Sequence, residues 1–216
     1  MTQKLEIQLL GGFAVKLDGQ PIVAFRTGKT RALLAYLAVE ANREHSRTAL
    51  ATLFWGGMPE TAAKTNLRVE LSNLKSLLAA HPALELSRTA VRFRSEWAVT
   101  DTHVFQRSIS AFLALAGEER RAHLGQLAAA VELYQGDLLA GLQLNDAPDF
   151  DDWQLLMREK LHEQLMGALQ TLQAGYAEQG RWGELAGAAR RQLAIVPWTE
   201  SAHRALMQAL AAQGQV

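Results

Sequence analysis

Ser46-Arg-Thr-Ala-Leu-Ala-Thr-Leu-Phe-Trp55, the pair Gly56-Gly57, and then Pro59-Glu-Thr-Ala-Ala-Lys-Thr-Asn-Leu-Arg-Val-Glu-Leu-Ser-Asn-Leu-Lys-Ser-Leu-Leu78 decide the fold. Ser46 suits an N-cap, Leu50, Leu53 and Phe54 share one stripe, and the glycines end a short helix. Pro59 suits the start of a longer helix, expected to run to about Ala80, whose Leu67, Leu71, Leu74 and Leu78 repeat at helical spacing. Upstream, a helix is expected from Thr27, with Leu33, Leu34, Leu37 and Ala41 inside. Before it, Leu5, Ile7 and Leu9 alternate with polar residues, Gly11-Gly12 interrupts, and Phe13, Val15 and Leu17 alternate again. Asp18-Gly19 is a hairpin signal, and Pro21-Ile22-Val23 begins a third short strand. Downstream, Leu84 and Leu86, then Val91 and Phe93, read as a closing hairpin.

Strands, three helices and a hairpin make the order of a winged helix-turn-helix, and a sheet before the first helix is a feature of the response-regulator (OmpR-like) variety. From Asp101 onward nothing reads as a strand. Phe105, Ile109, Phe112 and Leu113 mark one helix; Leu124, Leu127, Val131 and Tyr134 mark the next. A long helix begins near Pro148, with Trp153, Leu161, Leu165, Leu169, Leu172 and Tyr176 inside, and Gly180 stops it. Helices over about 181–195 and from Thr199 follow, separated by Pro197. Ala168, Leu172 and Tyr176 recur 34 residues later as Ala202, Leu206 and Leu210, the period of tetratricopeptide hairpins. The expected fold is mainly α with a small β component. A winged-helix domain over 1–99 precedes a tetratricopeptide-like helical domain over 100–216.

Composition supports a packed protein. Of 216 residues, 49% are hydrophobic and 20% charged, which argues against intrinsic disorder. No cysteine is present, so a disulfide framework, a thiolate zinc site and a thiol nucleophile are excluded. The longest apolar run, Ala32 to Val39, is far shorter than the roughly 20 residues a spanning helix needs. No secretory signal is recognisable, and a soluble cytoplasmic protein is expected. The zero net charge divides into 13 basic and 8 acidic residues over 1–100, against 9 and 14 over 101–216. The basic half is the candidate for nucleic acid.

Several stretches resemble the antibiotic-regulatory-protein (SARP) family of bacterial transcription activators. Leu5-Glu-Ile-Gln-Leu-Leu-Gly-Gly-Phe13 is similar to its opening strand and glycine turn, and Thr30-Arg-Ala-Leu-Leu-Ala-Tyr-Leu37 to its first helix. Ser46 to Trp55 resembles its second helix, and Thr65-Asn-Leu-Arg68 through Leu77 its recognition helix. Leu133-Tyr-Gln-Gly-Asp-Leu-Leu-Ala-Gly-Leu142 closely resembles the hallmark of the bacterial transcriptional activation domain, and Trp153, Ala202-His203-Arg204 and Leu206-Met207 fit it too. The resemblance implies a DNA-binding winged helix followed by an all-helical activation and dimerisation domain. One departure stands out: the wing turn of the family usually passes through Gly or Asp-Gly, and here it is Arg88-Thr89.

On a helical wheel, Thr65, Val69 and Ser76 lie opposite the leucine stripe of the third helix, flanked by Thr61, Arg68 and Ser72 on one side and by Ala62 and Asn73 on the other. This face suits a major groove. The candidate base contacts are Thr65, Arg68, Val69, Ser72 and Asn73, because Arg can fork onto guanine, Asn onto adenine, and an apolar group can meet the thymine methyl. Lys64 and Lys75 are placed to reach phosphates, as are Arg47 and Thr48 at the start of the second helix. Arg88, Arg92 and Arg94 cluster at the wing. Each set also fits an ordinary solvated surface, and for the third helix the resemblance favours the DNA reading.

Gly28-Lys29-Thr30 ends like a phosphate-binding loop, but Val23 stands where the motif needs glycine, so a helix start is expected. Asp149, Asp151 and Asp152 are read as first-turn caps of a helix rather than metal ligands. Gly136-Asp137-Leu138-Leu139 is read as a structural corner, and the five tryptophans as core and corner residues. The six histidines show no metal spacing, and no catalytic constellation is recognisable. No enzyme and no cofactor are expected. The leading expectation is an activator that binds direct repeats of double-stranded DNA, forms a homodimer and recruits the RNA polymerase holoenzyme at the nucleoid. The alternative is a tetratricopeptide-like adaptor whose winged helix does not read DNA. Family members often continue into a nucleotide-hydrolysing domain.

Overall fold

The structure, a computed structural model, describes residues 4–214. Three strands open the chain: β1 (Leu5–Gln8), β2 (Ala14–Leu17) and β3 (Gln20–Pro21). Then come α1 (Gly28–Val39), β4 (Glu44–Ser46), α2 (Arg47–Trp55), α3 (Glu60–Leu77), β5 (Leu84–Leu86), β6 (Ala90–Phe93) and β7 (Ala98–Thr100). The rest is helical: α4 (Asp101–Ala114), α5 (Gly117–Ala122), α6 (Leu124–Glu132), α7 (Pro148–Glu178), α8 (Trp182–Ile195) and α9 (Glu200–Ala212). The chain packs as two compact units, residues 1–104 with 135–159, and residues 105–134 with 160–216.

In the first unit, capping chemistry sets the helix starts. Thr27 accepts the Thr30 N–H, and Ser46 accepts the Ala49 N–H, which satisfies a donor that each first turn would otherwise leave open. Leu33, Leu34 and Leu37 of α1, Leu50 and Phe54 of α2, and Leu67, Leu71 and Leu74 of α3 form the buried centre. The third helix ends at Leu77, short of the expected Ala80, because Ala79 and Ala80 turn left-handed at φ 48° and 55° while Ala80 N–H reaches back to the Lys75 carbonyl. That bond closes the helix end in the manner of a Schellman turn.

Two sheets flank these helices. One has strand order β3-β2-β1-β7, with β1 antiparallel to β2 and parallel to β7. The other is β4-β6-β5, with Leu86 opposite Val91 across the wing hairpin. The short strands β4 and β7 were not expected from the sequence. His45, the buried centre of β4, lies 5.1 Å from the Tyr36 ring, and its Nε2 has no partner among the described residues.

Burial pushes the His45 pKa below its ordinary value, which gives a pH prediction. The folded state prefers the neutral ring, so stability is complete above the unfolded value of about 6.5. It falls as pH drops from there toward the depressed folded value, with a slope of at most about 1.4 kcal/mol per pH unit. Urea midpoints at pH 7.5 and 5.5 should therefore differ more in the parent than in His45→Gln. An equal difference would place the acid sensitivity elsewhere.

Residues 135–159 complete the first unit. Leu10 and Leu138 form an antiparallel bridge, the Leu139 N–H donates to the Leu9 carbonyl at 2.8 Å, and the Gly11 N–H donates to the Asp137 carbonyl at 3.1 Å. The backbones meet so closely that a Cβ on Gly11 would lie 3.0 Å from Gln135, and one on Gly136 would lie 3.0 Å from the Gly11 Cα. From α7, Arg158 Nε donates to the Leu138 carbonyl at 2.8 Å, and the Gln154 amide donates to Leu142 at 3.2 Å. Phe150 stacks on Phe54 at 5.1 Å, and Trp153 Nε1 donates to Glu40. The Gly136-Asp137-Leu138-Leu139 stretch is thus a structural corner, bound to the glycine turn that follows β1. Asp101 closes the other side by accepting the Leu9 and Leu10 N–H groups at 2.8 Å each.

The second unit is all helix among its described residues. It holds a tetratricopeptide-like α8–α9 hairpin beside the later part of α7. Ala168, Leu172, Tyr176 and Ala202 are buried, while Leu206 and Leu210 are half-buried. Gln173 occupies the position where the repeat usually has a small residue, and its amide bonds that of buried Gln192 at 2.6 Å. A buried polar pair is tolerated when both members are satisfied. Arg191 donates to the carbonyls of Val131 and Tyr134 at 2.8 Å each and pairs with Glu132. The short α5 was not expected. Trp198 departs from the reading of the tryptophans as core and corner residues: it is 82% exposed, and Trp97 is also exposed.

Candidate nucleic-acid interface

The outward face of α3 is built by what its inward face absorbs. Leu67, Leu71 and Leu74 anchor the helix, and Glu70, about 70° from the centre of that stripe at about 100° per residue, is drawn inward. Its carboxylate accepts from the Thr30 hydroxyl and, at 3.1 Å, from Thr27. Only 8% of Glu70 remains exposed. A carboxylate in the middle of the helix would repel phosphate, and here it is spent on the cap of α1.

The face left outside carries Thr61, Thr65, Arg68, Val69, Ser72 and Ser76, all exposed. Among the described residues, Arg68 has no ion-pair or hydrogen-bond partner. Thr65 Oγ1 donates to the Thr61 carbonyl at 2.9 Å. Asn73 is half-buried and its amide lies 3.4 Å from Glu70. Lys75 is exposed, and Lys64 pairs with Glu60, whose carboxyl it holds below the usual range.

The wing closes without glycine. Ser87 Oγ accepts the Ala90 N–H at 2.9 Å, and the Ser87 N–H donates to the Ala90 carbonyl at 2.9 Å. A serine side chain supplies the bond that a glycine-bearing turn would make with backbone alone. Arg47 ties this turn to α2: its N–H donates to the Thr89 carbonyl and its Nε to the Ser87 carbonyl, both at 3.0 Å. Thr48 and Arg88 are exposed. Arg92 is half-buried with an unbonded Nε. Arg94 bridges Glu85 at 3.1 Å and Glu96 at 2.6 Å.

Arg47, Thr48 and Arg88 therefore come together at the wing turn. Thr65, Arg68, Val69 and Ser72 share the exposed face of α3. Arg94 is engaged by acids. Lys29 is fully occupied: it donates to the Phe54 carbonyl at 2.8 Å, pairs with Asp146 at 2.9 Å and lies over the Trp55 ring. Sequence reasoning missed the role of Glu70, and the signal was present in Thr27 and Thr30, two hydroxyls one turn apart at a helix start. It also missed the Arg47 clamp, which depends on a contact between residues 40 apart.

Among the described residues no group of three or more His, Asp or Glu is placed to hold a metal, and no helix is long and apolar enough to cross a membrane.

Residues 100–216 match the bacterial transcriptional activator domain. The transcriptional regulatory protein EmbR of Mycobacterium tuberculosis is 35% identical over 78 residues, which is 36% of this chain and 20% of that protein; EmbR of Mycobacterium bovis gives the same figures. The solved structure of Mycobacterium tuberculosis EmbR in complex with a low-affinity phosphopeptide matches with a TM-score of 0.75 at 22% identity, over 99% of this chain and 56% of that one. The chain thus spans a fifth of the length of the curated relatives it matches and just over half of the solved one. The structural likeness supports the fold, a winged helix with a tetratricopeptide-like helical part. With more than half of its length matching that domain, the chain belongs to the bacterial transcriptional activator domain family and has the architecture of a SARP-type transcriptional regulator.

Proposed function

We propose that this regulator is a sequence-specific DNA-binding activator, in which residues 1–99 read direct repeats and residues 100–216 dimerise and recruit the RNA polymerase holoenzyme. In this reading α3 lies in the major groove, with Thr65, Arg68, Val69, Ser72 and Asn73 toward bases. Lys64, Lys75, Arg47 and Thr48 meet phosphates, and Arg88, Arg92 and Arg94 follow the backbone beside the wing. The protein would act in the cytoplasm at the nucleoid, without enzymatic chemistry of its own. The observation that supports it is the inward turn of Glu70, which leaves the middle of α3 free of exposed carboxylates while Arg68 stays unpaired.

Arg68→Ala is expected to weaken specific binding by about 1–3 kcal/mol and to leave binding to random duplex nearly intact. Gel shifts on a selected operator and on random duplex read this directly. Equal losses on both would make Arg68 a phosphate contact. A salt titration of the parent separates this reading from a protein adaptor, because phosphate contacts make log K fall steeply with log salt. A flat titration would remove DNA as the ligand.

A further inference from the structure

We infer that a cavity of about 270 Å³ in the second unit, lined by α4, α5, α6 and α7, is a binding site for a small organic anion with a carboxylate head and a short hydrocarbon body. Its apolar walls are Phe112 and Leu124, both buried. On α7, Ala174 and Gly175 keep it open. Gly175 has a second constraint, because a Cβ there would lie 2.7 Å from the Leu124 side chain. The helices are therefore already in close contact beside the cavity, and the remaining space is not a gap that a small shift of α6 would close.

The polar wall is Arg120. Its guanidinium carbon lies 6.0 Å from the Phe112 ring centroid, and Nη2 donates to the Leu113 carbonyl at 2.8 Å. Nε is closed to water and has no hydrogen-bond partner, a rare condition for a buried charged donor. Among the described residues no carboxylate pairs with Arg120. Its neighbour Arg121 does have one, Glu178 at 3.6 Å, but both of those side chains are more than 60% exposed and form a solvated rim. Arg121, Thr171 and Glu178 line the cavity as well. The Arg121–Glu178 pair offsets its own charge, so among the described lining residues half-buried Arg120 is the cation without a carboxylate partner, beside the Phe112 and Leu124 wall.

A guanidinium offers parallel donors that match a carboxylate edge-on, and such a ligand would supply the acceptor that Nε lacks. The volume lies just below the usual range for small-molecule sites, about 300–1,000 Å³, which limits the body to a few carbons. An inorganic anion would leave the Phe112 and Leu124 wall unfilled.

Calorimetric titration of the full chain with sodium hexanoate, hexanamide and inorganic phosphate tests the site. Hexanoate should bind saturably with one site per chain. Hexanamide and phosphate should each bind at least about tenfold more weakly, a difference of roughly 1.4 kcal/mol. Arg120→Met should weaken hexanoate at least tenfold. Ala174→Leu, which adds volume at an exposed lining position on α7, should weaken hexanoate at least tenfold while keeping the thermal midpoint of the parent, and it decides the matter even if Arg120→Met fails to fold. Absence of hexanoate binding, equal binding of hexanamide or phosphate, or full binding by Ala174→Leu would each overturn the assignment.

Discussion

Inserting about 5 bp between the halves of a direct repeat should reduce affinity to that of a single half-site. Two recognition helices that approach one face of the duplex need half-sites about one helical turn apart, roughly 10–10.5 bp, or a near multiple. Half a turn of extra spacer carries one half-site to the opposite face. The second winged helix then engages only by twisting the duplex or straining the protein, and the effective concentration supplied by linkage is lost. That advantage commonly amounts to about 10²–10⁴ in affinity, so the expected effect is larger than that of any single base contact. A gel-shift series over spacers of increasing length should show binding recover near a full added turn. Affinity that is flat with spacer length, or tighter binding to an inverted repeat, would rule out a dimer that reads direct repeats. The exposed face of α3 and the Arg47-clamped wing turn are the surfaces that must meet the duplex in this arrangement.

Gly11→Ala should lower the folding stability by about 2–5 kcal/mol. Two costs combine. The backbone at Gly11 has φ +89°, and a left-handed conformation costs an L-residue about 1–2 kcal/mol. The new methyl would also lie 3.0 Å from the Gln135 backbone carbon, and overpacking a rigid contact costs typically about 1–3 kcal/mol. Neither cost relaxes easily, because the Leu9 carbonyl and the Gly11 N–H are both bonded to residues 137–139. Against a total stability of roughly 5–15 kcal/mol, such a loss is severe. Gly57→Ala is the matched control: Gly57 is exposed, has no positive φ and has nothing within 4 Å of a built Cβ. It should change stability by less than about 0.5 kcal/mol. Urea midpoints of the two variants compare them in one experiment, and equal midpoints would show that the contact between the glycine turn and residues 135–139 does not hold the first unit together.

Local pattern and tertiary contact contributed different things to this protein. The leucine spacing of α3, the Ser46 cap, the Gly56-Gly57 stop and the alternation around Val91 and Phe93 were legible in sequence, because each is a short-range consequence of backbone geometry and one buried face. The same holds for the start of α1 near Thr27 and for the long α7, where apolar periodicity runs over many turns. Three-residue strands carry too few side chains for a period to register, so β4 and β7 exist only because β6 and β1 offer them partners. The wing turn looked deficient without glycine, and the Ser87 hydroxyl together with Arg47 closes it across 40 residues. Composition alone showed that Glu70 is acidic; only the approach of α1 to α3 decided that its charge would be turned inward to Thr27 and Thr30. Likewise Gly11 read as an interruption between strands and Gly136 as part of a corner, and only the close approach of the two backbones leaves no room for a Cβ at either, against Gln135 at the first and the Gly11 Cα at the second. Periodicity reports which face of an element is apolar, whereas the bonds between elements depend on distances that no single segment encodes.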